Sequence, residues 1–240
     1  LNLRQSISIV MGANIGTTVT AQIIRLMDIN SSGAAFIEIF KPSTLAPLAV
    51  LCGIIFLKFV KSQKTKGIGM MLMGFGILFT GLMGMTEAVS PLSESQAFTD
   101  VLQKFSDVPI LGILTGLITT FIVQSSSAVI GMVQALSSTG AFTFQTVYPL
   151  IIRINLGTCI TTAIVCSIGT DKDAKRTGIA HILFNCIGTV LFMAAIPLLH
   201  HAGALNFIWG KPMNSGGIAN FTTIFNLVTA VALLPFTCQL

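Results

Sequence analysis

Long stretches of this chain contain no Asp, Glu, Lys or Arg, and the longest runs unbroken from 108 to 152. Others cover 5–24, 67–86, 177–210 and 212–240, with shorter ones at 42–57 and 154–170. A helix that crosses a bilayer needs roughly 20 apolar residues, and in hydrocarbon every backbone polar group must be satisfied internally. The chain is therefore expected to be an all-α integral membrane protein. Only 9% of its 240 residues are charged and 53% are hydrophobic, whereas soluble domains carry about 25% charged residues. The net charge of +5 does not mark a nucleic-acid partner. The basic residues cluster at span ends and in two short loops, Lys61 to Lys66 and Lys172 to Arg176, as cytoplasmic topogenic charge does. The cysteines at 52, 159, 166, 186 and 238 show no CxxC spacing, which argues against a disulfide scaffold or a zinc site.

The pattern predicts spans at 5–27, 43–60, 67–86, 142–168, 176–199 and 218–237. Segment 109–138 has two apolar halves on either side of Gln124-Ser125-Ser126-Ser127. Each half is about a dozen residues, too short to cross, so the segment reads as a re-entrant hairpin. With both basic loops in the cytoplasm, 5–27 runs outward and 142–168 runs inward. The external stretch 87–108 (Glu87, Glu94, Asp100, Lys104, Asp107) reads as a surface amphipathic helix. The segment 200–217 is external as well, and its Trp209 reads as an interface anchor.

Inside this apolar sequence one polar phrase occurs twice. Residues 12–24 (GANIGTTVTAQII) align without gaps on 153–165 (RINLGTCITTAIV), matching Asn14 with Asn155, Gly16 with Gly157, Thr17 with Thr158 and Thr20 with Thr161. Lipid-facing helices have no use for such a set. Duplicated transporter folds do, because paired interrupted helices build a solute site where the copies meet. The expected fold is an inverted-repeat transporter with a re-entrant hairpin and two broken transmembrane helices. Its first repeat would occupy 1–86, the connecting segment 87–108 and the second repeat 109–240.

Gly16 and Gly157 are expected to weaken their helices where Asn14 and Asn155 take up freed backbone groups. The half-helix N-termini would suit an anion and the C-termini a cation. Hydroxyls of Thr17, Thr18, Thr20, Thr158, Thr161 and Thr162 would add neutral oxygens, and the hairpin turn would add Gln124 and Ser125 to Ser127. All eight acids fall in loops or at span ends, whereas proton-driven carriers usually need a titratable group inside the membrane. Neutral oxygens without a carboxylate fit a hard monovalent cation, most simply Na⁺. Arg153 stands where the first copy has Gly12. An arginine this deep in a span either faces an anion or snorkels and pairs with backbone carbonyls. His181 lies near the cytoplasmic end of its span and reads as a packing residue. A serine nucleophile with His181 as base lacks an acidic third member and a Gly-x-Ser-x-Gly turn, so no enzyme is expected.

Gln124-Ser-Ser-Ser followed by Asn155-x-Gly157-Thr158, with its near-copy at Asn14-x-Gly16-Thr17-Thr18, closely resembles the type II sodium–phosphate cotransporter family. Ala180-His181-x-x-Phe184-Asn185 resembles that family's His-x-x-Phe-Asn span, and Phe221 to Asn226 its later counterpart, with Thr222 where a His is common. The resemblance implies a multi-pass plasma-membrane symporter of inorganic phosphate and sodium, with no other cofactor. Its site would be lined by Gln124, Ser125, Ser126, Ser127, Asn14, Gly16, Thr17, Thr18, Asn155, Gly157, Thr158 and Thr161, with sodium ligands among the same residues. Thr20 and Arg153 are further candidates. The alternative is a sodium-coupled symporter of another small anion, an oxyanion or a carboxylate. The spacing from Gln124 to Asn155 would put a first hairpin ahead of Leu1, so the chain reads as N-terminally truncated. Nothing in the sequence sets an oligomeric state.

Overall fold

The computed structural model describes residues 3–25, 41–93, 120, 123, 125–137, 140, 142–168 and 171–236. The described residues form α1 (Leu3–Ile24), α2 (Pro42–Phe59), α3 (Gln63–Ser93), α4 (Ser126–Leu136), α5 (Phe144–Ser167), α6 (Lys172–His201) and α7 (Ser215–Leu233). A 3₁₀ turn, Leu234–Phe236, follows α7, and no strand occurs among the described residues. Four helices, α1, α5, α6 and α7, are long and apolar enough to cross a membrane, and α2 is a shorter apolar helix. Their outward faces carry Val190, Leu198 and Val231 at 69%, 70% and 63% exposure. Water would penalise such surfaces, whereas lipid accepts them.

Local chemistry sets the helix ends. Pro42 occupies the first position of α2, where its missing N–H has no helical partner to lose. The Thr143 hydroxyl and the Thr146 side chain close a reciprocal cap at the start of α5. At the start of α7 the Asn214 carboxamide oxygen accepts from the Gly217 N–H at 2.9 Å. Gly203 ends α6 with φ of +82°, a left-handed conformation that glycine adopts at no steric cost.

Packing then assembles the elements. Both α1 and α5 pack against α4, α6 and α7. The main core joins Ala21 of α1 to Val129, Ile130 and Val133 of α4, Ile151 and Ile152 of α5, and Ile218 and Phe225 of α7. At the opposite end of α1, Ile7 and Met11 cluster with Ala180 and Phe184 of α6 and with Ala230 and Leu233 of α7. The start of α1 thus lies against the end of α7, and Gln22, near the end of α1, bonds Asn220 and Thr223 near the start of α7. The segment before α7 is tied to the start of α5 by the Met213 N–H donating to the Phe142 carbonyl at 2.7 Å. The starts of α5 and α7 therefore share one end of the bundle, and α1 runs opposite to both. The α2–α3 hairpin attaches through α3 on α4 and through Ala46 and Phe79 on Ile24.

Two expectations need correction. Neither copy of the phrase breaks its helix: α1 and α5 run continuously through Gly16 and Gly157. The physical reason is local, because Asn14 and Asn155 donate back to the carbonyls four residues earlier, which satisfies their amides without freeing a backbone group. The first part of 87–108 is not a separate surface element, since α3 continues to Ser93; residues 94–108 lie outside the described residues. Trp209, read as an interface anchor, is half-buried and also packs within the protein. It stacks on His200 at 3.6 Å and packs beside Phe144 and Tyr148, so aromatic contact with the protein holds it.

Candidate functional site

Ser125 stands at the head of α4 in extended conformation, and its hydroxyl oxygen accepts the Ala128 N–H at 3.2 Å. Ser126 and Ser127 form the first turn and are half-buried. The opening turn of a helix leaves N–H groups without helical partners and carries partial positive charge. Gln124 lies outside the described residues, as does most of the predicted hairpin 109–138.

The two copies of the phrase spend their donors in the same way. The Asn14 amide donates to the Val10 carbonyl at 3.1 Å, and the Asn155 amide to the Ile151 carbonyl at 3.0 Å. Thr17 donates to Ala13 and Thr18 to Ile15, while Thr158 donates to Asn155 and Thr161 to Thr158. A threonine hydroxyl has one proton, so each of these oxygens keeps only lone pairs to offer. The asparagines likewise keep their Oδ1 acceptors. The arrangement presents oxygen acceptors, as a hard cation requires.

The same bond recurs outside the phrase. Asn185 donates to the His181 carbonyl and Asn226 to the Thr222 carbonyl. Both side chains are fully buried, and Asn185 Oδ1 and Asn226 Oδ1 have no hydrogen-bond partner. Gln134 of α4 is 1% exposed. Its Nε2 lies 3.0 Å from the Ala21 carbonyl, 3.2 Å from the Ser215 carbonyl and 3.0 Å from Ser215 Oγ, while its Oε1 is unpartnered. One amide thereby joins α4 to α1 and α7. The sequence reading did not single out Gln134; the signal was an amide within an uncharged apolar run, which must find partners in its neighbours. His181 Nδ1 lies 3.0 Å from Thr162 Oγ1, linking α6 to α5.

The structure gathers the helices that carry the three phrases into one bundle, with α4 touching both α1 and α5. Among the described residues no hydrogen bond runs directly between the phrases' Asn, Thr and Ser side chains. Thr18 and Asn155 are buried and Gly157 is enclosed, whereas Gly16 is exposed and a Cβ there would meet nothing within 4 Å. Thr20 is half-buried. Arg153 is buried at 7% exposure within a run of five buried residues, Ile151 to Asn155. At 100° per residue such a run encloses the helix on every face. Arg153 is therefore largely enclosed, although none of its nitrogens is among the fully buried atoms without a partner. No group of three or more His, Cys, Asp and Glu side chains occurs among the described residues.

The sequence pattern of the Na⁺/Pi-cotransporter family matches residues 1–87 and 85–232. An uncharacterised protein of Bacillus subtilis, YqeW, is 28% identical over 99% of the chain and 71% of its own length. A protein of Salmonella typhimurium named putative inorganic phosphate export protein YjbB is 25% identical over 98% of the chain and 40% of its own length. The rat protein named sodium-dependent phosphate transport protein 2A is 24% identical over 73% of the chain and 29% of its own length. The chain thus spans less than half the length of the two relatives named for phosphate. No solved structure matches it.

Proposed function

This chain belongs to the Na⁺/Pi-cotransporter family, and from that premise we propose that it moves inorganic phosphate across the plasma membrane together with sodium. The observation that carries the reading is the shared use of donors in the two phrases. Asn14, Thr17 and Thr18 on one side and Asn155, Thr158 and Thr161 on the other donate into their own helices. What their oxygens keep are lone pairs, which suit Na⁺. The phosphate oxygens need donors instead, and these are the N–H groups and hydroxyls at Ser126 and Ser127. Gln124, Gly16 and Gly157 complete the proposed lining, and Thr20 adds a further oxygen. The unpartnered oxygens of Asn185 and Asn226 extend the set of acceptors open to a cation.

The opposed directions of α1 and α5 support an inverted repeat, with 1–86 and 109–240 as its halves and 109–138 as a re-entrant hairpin. Such a pair would expose the site to either side in turn as the halves rock against each other. One relative is named for export and another for sodium-dependent transport, so direction follows from the gradient imposed. The test is radiolabelled phosphate uptake into proteoliposomes, with an inward gradient of sodium or of choline. Sodium-driven uptake is expected, and Asn155→Ala or Ser126→Ala should abolish it while membrane insertion persists. Uptake indifferent to sodium would overturn the coupling. Uptake of sulfate or succinate in place of phosphate would establish another small anion as the substrate.

A further inference from the structure

Arg153 carries five N–H donors and a permanent charge. It is 7% exposed, sits two residues before Asn155, and is enclosed by protein on every face of α5. Among the described residues it makes no ion pair and no hydrogen bond. The one titratable group with which it interacts electrostatically is Tyr148, which offers a phenol and not a carboxylate. The described acids lie elsewhere: Glu87, Asp171 and Asp173 are exposed, and Asp173 pairs with Arg176 at 3.6 Å. A buried charge without a partner is costly, and breaking a buried pair is costly for the same reason. No described side chain offsets this charge, and no Arg153 nitrogen is among the fully buried unpartnered atoms, so the guanidinium is within reach of a residue outside the described set or of a bound anion.

The neighbouring side chains bear on which it is. The threonines Thr17, Thr18, Thr158 and Thr161 have spent their only proton on backbone carbonyls, and Asn14 and Asn155 have each spent one of two. Arg153 has spent none. We propose that Arg153 is the fixed cation of the anion site, pairing with the transported oxyanion so that one unit of its charge is neutralised by the protein and not by a coupling sodium. The matched position in the first copy is Gly12, which carries no charge, so this contribution comes from the second copy alone. The inference rests on the anion-transport reading but not on phosphate being the anion.

The test compares wild type with Arg153→Gln, Arg153→Gly and Arg153→Lys, purified and reconstituted in nanodiscs. Phosphate, sulfate and succinate binding is titrated in sodium, alongside thermal melts without any anion. Removing a charge-assisted hydrogen bond from a buried site weakens binding by at least about tenfold. Arg153→Gln and Arg153→Gly are expected to show that loss, with Arg153→Lys retaining part of the affinity. The sodium dependence of binding should steepen in Arg153→Gly, because a sodium must then supply the missing charge. In the absence of anion, Arg153→Gln should melt at or above the wild type, since it removes an unpaired buried charge. A lower melting point with unchanged anion affinity would assign Arg153 a structural pairing role and overturn the proposal. Loss of sulfate or succinate binding on substitution, with no phosphate binding in wild type, would uphold Arg153 while replacing phosphate as the substrate. Phosphate binding that ignores the substitution would overturn the role of Arg153 while leaving phosphate as the substrate.

Discussion

Single side chains in this protein act chiefly by disposing of protons and lone pairs in a medium that offers no water. Asn14, Asn155, Asn185 and Asn226 make the same bond to the carbonyl four residues back. Asn14 and Asn155 therefore sit inside the helices that they were expected to interrupt, because glycine alone costs a helix only about 1 kcal/mol and an unsatisfied side-chain amide in hydrocarbon would cost more. The polar residues were legible in the sequence; their effect on the helix depended on a hydrogen bond that residue identity does not specify. Gln134 shows the opposite case, a residue whose role exists only between elements. Interhelical hydrogen bonds in membranes contribute about 0.6 kcal/mol on average and up to about 1.7, so its two N–H donors, shared among three acceptors on Ala21 and Ser215, should together be worth on the order of 1 kcal/mol. Gln134→Leu is expected to lower the melting temperature in nanodiscs; an unchanged melt would mean that relief of the unpartnered Oε1 offsets the lost bonds.

At the scale of elements, glycine decides how closely helices approach. A Cβ on Gly53 would lie 2.7 Å from the Gly69 carbonyl oxygen and 2.9 Å from the Met73 nitrogen, and one on Gly76 would lie 2.5 Å from the Ala46 carbonyl oxygen. These obstacles are backbone, which cannot rotate away, so α2 and α3 touch only because side chains are absent there. Gly53→Ala and Gly76→Ala should destabilise the hairpin and reduce the monodisperse yield on size exclusion. Gly74→Ala and Gly81→Ala meet nothing within 4 Å and should be neutral or slightly stabilising through helix propensity. If all four behaved alike, close approach would not be what these glycines provide. Four of the six predicted spans, 5–27, 142–168, 176–199 and 218–237, fall on helices long and apolar enough to cross a membrane, because length and hydropathy alone set them. The extension of α3 to Ser93 was not readable in this way, since Glu87 and Glu94 resemble a break in an apolar run while a helix backbone passes through charged positions unhindered.

The whole molecule is a bundle in which α1 and α5 share the neighbours α4, α6 and α7 and run in opposite directions. This arrangement predicts that Gln22→Cys with Asn220→Cys, in a background without the native cysteines, is bridged within the chain by a short bifunctional thiol reagent, because the native side chains meet tip to tip, Gln22 Nε2 lying 3.2 Å from Asn220 Oδ1. Ile7→Cys with Asn220→Cys should not, since Ile7 clusters at the other end with Ala230 and Leu233. Cross-linking of the second pair but not the first would invert the packing of α1 on α7. By itself the sequence determined that the chain lives in a membrane, where its helices lie, and that one polar phrase is written twice, because hydropathy, helix length and internal similarity are properties of the chain taken in order. Only the tertiary structure decided that the phrases leave their helices whole and that Gln134 joins three helices. It also decided that Arg153 lies in a stretch of α5 that is buried on every side. Those outcomes depend on which faces meet and which donors are already spent, and neither is set before the helices pack.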